Sequence, residues 1–423
     1  MRQSTRVVLA IVVAAVVLVA AALWSGRDPD STASGRTVVG LRVWDESFVP
    51  RYRASLDEFE RANPDVRVRI TVVPWSSYEQ KLRLDLAGGT ADDLFWSSSY
   101  AEYADAGRLL EIDESLGPRR AWDPASVAQY TRAGKLWAVP QFVDGGTAVY
   151  YNRDLLAAAG IDPASLNSLR WGPGADDSLT PLLRRLAAVA PSAYNAGHDF
   201  QSVELPYLGS AGARFRDGQG DFVFDSTEAI SAFEYLVGLI RDGLAPSPAD
   251  TNTDSDFAKN AFLQGKLAMF QSGTFNLAQI AEQAEFGWGV AMLPEGPAGR
   301  VSTNSAIGVA GNTDTEHPEA TRRVLRWLGS AEGTHDLVAN GATISANVGQ
   351  QAEYRDYWSD HGIDVTPFFD VLHGPKISSG TAPGLNSALR AIDPIFGEMY
   401  AGRLPVPEAL PRARAAAEDA VQK

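Results

Sequence analysis

Cysteine is missing from all 423 residues, and that one absence removes several chemistries together. Disulfides, thiolate nucleophiles, zinc–thiolate centres and lipid attachment through a thiol are all excluded. Basic residues are outnumbered, with Lys+Arg 37 against Asp+Glu 52 and a formal charge of −15. Nucleic acid is not an expected partner, because phosphate contacts need a basic patch and none is visible. Histidine is also scarce: His198, His317, His335, His361 and His373 show no metal spacing. "DTNTDSD", Asp250 to Asp256, begins like a calcium loop. Ser255 stands where that loop needs Gly and Ala261 where it needs Glu, so it reads as a solvated acidic loop. Phosphate-binding loops, dinucleotide fingerprints, Gly-x-Ser-x-Gly elbows and solenoid-period repeats do not occur. No metal and no cofactor is expected.

What is present begins with an export signal. Arg2 and Arg6 precede "VVLAIVVAAVVLVAAALW", Val7 to Trp24, an uncharged apolar run. As a helix it spans about 27 Å, close to the thickness of a bilayer core. Residues 1–24 are therefore a signal peptide, cleaved near Ala20 to Ala22, or an uncleaved anchor, and the anchor is favoured. Residues 25–37, with "SGRDPDSTASGR", form a polar tether. The remainder is expected to work outside the cytoplasm, either held at the cell surface or free in a periplasm.

Past the tether, strand and helix signals alternate. "VVGLRVW", Val38 to Trp44, is a buried strand type, and Tyr52, Leu56 and Phe59 follow at helical spacing until Asn63-Pro64. Val66, Val68, Ile70 and Val72 alternate with polar residues, as in a half-buried strand. Ser77 with Gln80 reads as a capping box opening a helix with Tyr78, Leu82 and Leu86 on one face, ended by Gly88-Gly89. "DLFW" is the next strand. This βαβαβ order predicts an α/β fold with a mostly parallel sheet, and at this length two domains.

In open α/β sheets ligands bind beyond the carboxyl ends of the strands. Trp44, Trp75 and Trp96 each stand at or just past such an end, beside Asp45-Glu46, Ser76-Ser77 and Ser97-Ser98. Three rings gathered at one sheet edge, with carboxylates and hydroxyls among them, suit a sugar. Aromatic faces stack on its C–H patches and polar groups bond its hydroxyls.

Five segments carry a family resemblance: "FERANPDVRVRITVVPWSSYEQKL", "LAGGTADDLFWSSSYAEYADAGRLLEID", "KLWAVPQFVDGGTAVYYNRDLLAAAGI", "DFAKNAFLQGKLAMFQSGTFNL" and "FGWGVAMLPEGPAG". From Val38 onward the chain resembles the extracellular solute-binding proteins of family 1, the carbohydrate ABC-transporter group that includes the maltose-binding protein. The resemblance implies a two-lobed periplasmic-binding-protein type II fold with ligand in the cleft. One lobe would take 38–143 and 303–346, the other 144–302 and 347–423. "AVYYN" restarting strand pattern after "VDGG", and "AIGVAGNT" after a polar turn, support this division. By the same resemblance Trp96 is a sugar-stacking position with Ser97 beside it, Asp45 and Glu46 bond hydroxyls, and Asp144 faces the cleft. "SGTFN" matches a loop usually reading Gly-x-Trp, which assigns Gly273, Thr274 and Phe275. Phe200, Gln201, Asn304, Ser305 and Asn386 complete the implied site.

The partners implied are a carbohydrate and the membrane permease of an ABC importer, with the protein itself a monomer and not an enzyme. Two alternatives stand beside this. The same fold could take a phosphorylated polyol, which would need Arg or Lys in the cleft. An exported glycoside hydrolase would need paired carboxyls flanking a bond. Asp92-Asp93 precede a strand and so belong at the opposite edge from the tryptophans. Asp45 and Glu46 are mere sequence neighbours. Many Gram-positive members of the family carry a lipidated cysteine after the signal, and this chain departs from them.

Overall fold

A computed structural model of the chain describes residues 35–97, 100–143, 146–251, 256–303, 306–379 and 384–422. The export segment, most of the tether, and the expected site residues Asp144, Asn304 and Ser305 lie outside these residues.

Strand β1 (Thr37–Val43) is an apolar run buried along most of its length. Helix α1 (Val49–Ala62) follows, burying Tyr52, Ser55, Leu56 and Phe59 on one face. The helix stops at Asn63, whose side-chain amide donates to the Phe59 carbonyl at 2.9 Å. Strand β2 (Val66–Val72) runs parallel to β1, with Thr37 opposite Val66 and Val43 opposite Val72. Its alternation is clear in the first half, where Val66 and Val68 are buried and Arg67 and Arg69 exposed. It fades by Val72, which is exposed at the sheet's edge.

Helix α2 (Trp75–Gly88) starts two residues before the expected capping box. Pro74 is the N-cap, with φ −54, and no side chain caps the helix. Proline holds a φ already suited to helix entry, so the helix nucleates against Pro74 and leaves Ser77 inside its first turn. The Ser77 hydroxyl donates back to the Pro74 carbonyl at 3.2 Å instead of capping. The consequence matters for the site, because Trp75 becomes the first helical residue. At the other end Gly89 takes the left-handed conformation, φ 68, that closes a helix at little cost.

Strand β3 (Leu94–Ser97) pairs parallel to β1. Three more strands complete the first sheet: β4 (Val139–Val143), β9 (Ala306–Gly311) and β10 (Ile344–Ser345), in the order β10-β4-β9-β3-β1-β2. β9 is antiparallel to both β3 and β4, so the sheet is mixed and only its β2-β1-β3 part is parallel. The helix expected after β9, α3 (Pro318–Leu328), buries Val324, Leu325 and Leu328.

The second sheet is built from β5 (Thr147–Asn152), β6 (Ser192–Tyr194), β7 (Leu267–Gly273) and β8 (Trp288–Ala291), in the order β8-β5-β7-β6. One apolar core covers it with the two C-terminal helices α4 (Leu385–Tyr400) and α5 (Val406–Gln422). Another lies under Tyr354, Trp358 and Phe368. The first sheet has a separate core around Trp96, Tyr52 and Phe95. Two sheets with two sets of cores make the molecule two-lobed.

The chain leaves the first sheet after Val143, enters the second at Thr147, and returns between Thr303 and Ala306. The two connections are tied together: the Thr147 amide donates to Ser302 Oγ at 2.8 Å and the Gly146 amide to the Thr303 carbonyl at 3.3 Å.

Candidate functional site

Register decides which strand ends meet. Val43 and Val72 end their strands side by side, Ser97 stands opposite Gly308, and Ala306 opposite Val143. The crossing connections leave from this same edge. On the second sheet they arrive at Thr147, whose register partner is Gly273. The tryptophan edge of one sheet and the Gly273 edge of the other therefore meet at the crossings.

The three tryptophans do converge, though not as three equal surfaces. Trp44 lies half-buried past β1, its ring 5.1 Å from Trp75, 4.7 Å from Trp96 and 5.1 Å from Tyr78, all edge to face. Edge-to-face contacts set the positive rim of one ring on the negative face of another. Trp96 is 0% exposed, and its Nε1 donates to the Tyr52 hydroxyl at 2.7 Å. It sits in the core against Phe48 and Phe142. The expectation of Trp96 as the stacking floor needs correction for this conformation, since a ring in the middle strand of a covered sheet has no free face. Trp75 is the open surface at 55% exposure, because its helix starts there. Trp96 supports Trp44, and Trp44 supports Trp75.

The polar groups at this edge divide in the same way. Asp45 spends its carboxylate capping the Ser47 amide at 2.9 Å, while Glu46 is exposed in the short turn that follows. Ser97 is fully buried and its Oγ has no hydrogen-bond partner. The Tyr100 hydroxyl, which the sequence reading passed over, is in the same condition, and burial pushes its phenol up to about 12. Its placement directly after "WSSS" was the available signal. Glu79, one helical turn beyond Trp75, is also buried. Its Oε2 accepts from the Tyr103 hydroxyl at 3.3 Å, Oε1 is unpartnered, and burial pushes the acid up to about 7.

On the second sheet's edge, β7 runs out at Gly273, whose carbonyl accepts from the Tyr150 hydroxyl at 2.8 Å. A Cβ at Gly273 would lie 2.3 Å from the Phe275 ring, so only glycine lets that ring fold back over the strand end. Phe275 is 51% exposed, and Thr274 is buried with its Oγ1 unpartnered. Phe200 and Gln201 begin a π-type turn, Phe200–Glu204, capped by Asp199 on the Ser202 amide at 2.8 Å. Phe200 packs 4.9 Å from Phe215 at the margin of the core, and Gln201 is half-buried. Asn386 lies half-buried in the first turn of α4.

The acidic pair that a hydrolase might use is committed elsewhere. Asp92 is in contact with the buried Arg42 guanidinium at 2.7 Å, and Asp93 accepts from the Gly40 amide at 2.8 Å. Arg42 is matched by Asp85 as well, at 2.7 Å, which leaves it no free charge for an anionic ligand. Among the described residues, no cluster of His, Asp or Glu could hold a metal ion.

Residues 46–335 match the family described as bacterial extracellular solute-binding protein. The chain belongs to that family. It is 25% identical over 413 residues to a putative binding protein of Brucella abortus, covering 93% of this chain and 95% of that one. It is 24% identical to the maltodextrin-binding protein MdxE of Bacillus subtilis, over 77% of each. Among solved structures, M. tuberculosis UspC is 48% identical, with a TM-score of 0.77 over 90% of this chain and all of that one. The GacH receptor of Streptomyces glaucescens, solved unliganded and with acarbose, shares the fold at TM-score 0.78 and 20% identity, over 92% and 99% of the two chains.

Proposed function

We propose that this family member is the extracytoplasmic substrate-binding component of an ABC importer. It takes a sugar or oligosaccharide between its two lobes and delivers it to the membrane permease. The observation that carries this reading is Trp75, a large ring held half in the open by Trp44 at a strand-end edge, across the crossings from the equally open Phe275. Exposed rings flanked by hydroxyls and carboxyls suit an uncharged polyhydroxy ligand. Relatives named for maltodextrin and galactooligosaccharide binding point the same way.

The unpartnered Ser97, Tyr100 and Thr274 hydroxyls fit the same picture. A sealed polar group without a partner costs roughly 1–3 kcal/mol. Closure around a ligand that supplies partners is favoured over closure without one. The lobes are 38–143 with 303–346, and 144–302 with 347–423, a division supported by which strands share a sheet. Site residues are Trp44, Trp75, Glu46, Ser97, Tyr100, Thr274 and Phe275, with Asp144, Gln201, Asn304, Ser305 and Asn386 retained from the family resemblance. The protein works as a monomer without enzymatic activity, held on the extracytoplasmic face of the cell membrane by Val7–Trp24.

A thermal-shift and calorimetric panel of glucose, galactose, maltose, maltotriose, trehalose, cellobiose and glycerol 3-phosphate tests the reading. Saturable binding of a neutral saccharide, recovered intact, is expected. Binding of glycerol phosphate alone, or release of monosaccharide from any disaccharide, overturns it.

A further inference from the structure

Behind the Phe200–Glu204 turn lies a set of titratable groups that the ligand edge does not use. Glu204 is buried, and its Oε1 accepts from the Tyr400 hydroxyl of α4 at 3.0 Å. The same residue borders a small apolar cavity lined by Phe200, Leu205, Phe215, Phe224, Phe233 and Phe396 among others. The groups that act on it are Tyr400 and Asp393 from α4, Asp199 from the start of the turn, and the His198 amide. No cation is among them. His198 itself holds a left-handed backbone, φ 46, rare for a residue with a side chain. Its Nδ1 lies 3.5 Å from the Asp393 carboxylate, its ring 5.4 Å from Tyr400, and its Nε2 is buried without a partner.

These contacts bind one particular turn to one particular helix. The turn carries Phe200 and Gln201 and begins six residues past the end of β6, while the helix carries Asn386. Asp393 is largely exposed, so it is Glu204, buried beside Asp199 with no matching cation, that is costly to ionise. Ionised, Glu204 would place a charge among buried aromatic side chains and beside Asp199.

We propose that Glu204, with Tyr400, Asp199, His198 and Asp393, forms a proton-operated latch that holds the Phe200–Glu204 turn against α4 while Glu204 is protonated and lets the turn loosen when Glu204 ionises. Burial, Asp199 and Asp393 push the Glu204 acid up to about 8, with the Tyr400 hydrogen bond opposing them. The latch is therefore closed at neutral pH. At pH 9.5 the ionised form outnumbers the protonated one by roughly thirtyfold. π-type turns are uncommon and cluster at functional sites, which fits a segment built to move. That Gln201 touches a sugar rests on the functional reading above; the latch itself does not.

Hydrogen exchange of the full chain tests it, comparing wild type with Glu204→Gln, which mimics the protonated acid at every pH. After correction for intrinsic exchange, protection of residues 198–204 should match in the two proteins near pH 4.5. By pH 8 and above the wild type should be at least about tenfold less protected. Tyr400→Phe keeps the carboxyl but removes its donor, so the transition midpoint should move to higher pH, a shift that general loosening would not produce. Parallel protection in wild type and Glu204→Gln from pH 4.5 to 9.5 overturns the latch, as does a midpoint that moves down in Tyr400→Phe. Titrating maltotriose into the same proteins is a separate arm. Failure to bind it counts only against the functional reading, because the exchange result needs no ligand.

Discussion

The tryptophan edge of the first sheet and the Phe200–Glu204 turn of the second both present aromatic residues, yet they are made rigid by different means. At the first edge rings brace rings: Trp96 is fixed by its bond to Tyr52, Trp44 leans on Trp96, and Trp75 leans on Trp44. Nothing in that stack ionises near neutral pH. In the turn, Phe200 is held by Phe215 in front and by a buried acid behind, bonded to a helix 196 positions along the chain. The ring stack is stabilised by apolar burial, which is indifferent to pH, and Glu79 beside it, pushed up to about 7, takes no part in the ring contacts. The turn depends on protons.

The largest way to break this comparison is at the base of the stack. Trp96→Ala should cost about 3–5 kcal/mol of folding stability, the usual range for a fully buried aromatic, with a correspondingly lower melting temperature. An unchanged melting temperature would mean the ring is not in the core.

Next in size is the pH response of the turn. Glu204 has a folded pKa raised to about 8 from an ordinary value of 4.5. Its stabilising contribution is thus complete below about 4.5 and is lost as the pH rises to about 8. Glu204→Gln should gain on the wild type across that window by up to about 1.4 kcal/mol per pH unit, then keep a constant lead. Denaturant titrations at pH 5, 6.5 and 8 measure this, and equal differences at all three would remove the role given to the acid.

The smallest effects belong to the sealed hydroxyls. Tyr100→Phe and Thr274→Val remove unpartnered groups, so each should leave the unliganded protein as stable as before or slightly more so. Each should weaken saccharide binding by roughly 0.5–1.5 kcal/mol. Calorimetry on both variants separates ligand contacts from idle hydroxyls, since idle ones would change neither quantity for the worse.

Much of this arrangement was legible in the sequence. Three tryptophans at successive strand ends had to share an edge, because parallel strands of a βαβαβ unit all finish on one side. Which ring would face solvent was not legible, because it turns on Pro74 starting α2 early and on β9, some two hundred residues later, covering Trp96. The capping box at Ser77 and Gln80 was a correct local pattern overridden by a stronger start signal. Glu204 carried no sequence signal, since its burial comes from α4 and from phenylalanines far along the chain. Asp92 and Asp93 could be set aside from position alone, and their bonds to Arg42 and Gly40 give the reason.

The central claim is that the exposed ring, and not the buried one, carries the ligand. Calorimetric titration of Trp75→Ala with the saccharide that binds the wild type tests it most directly. Affinity should fall by about 1–3 kcal/mol while the melting temperature of the free protein stays within a few degrees of wild type. Unchanged affinity in Trp75→Ala would contradict the account.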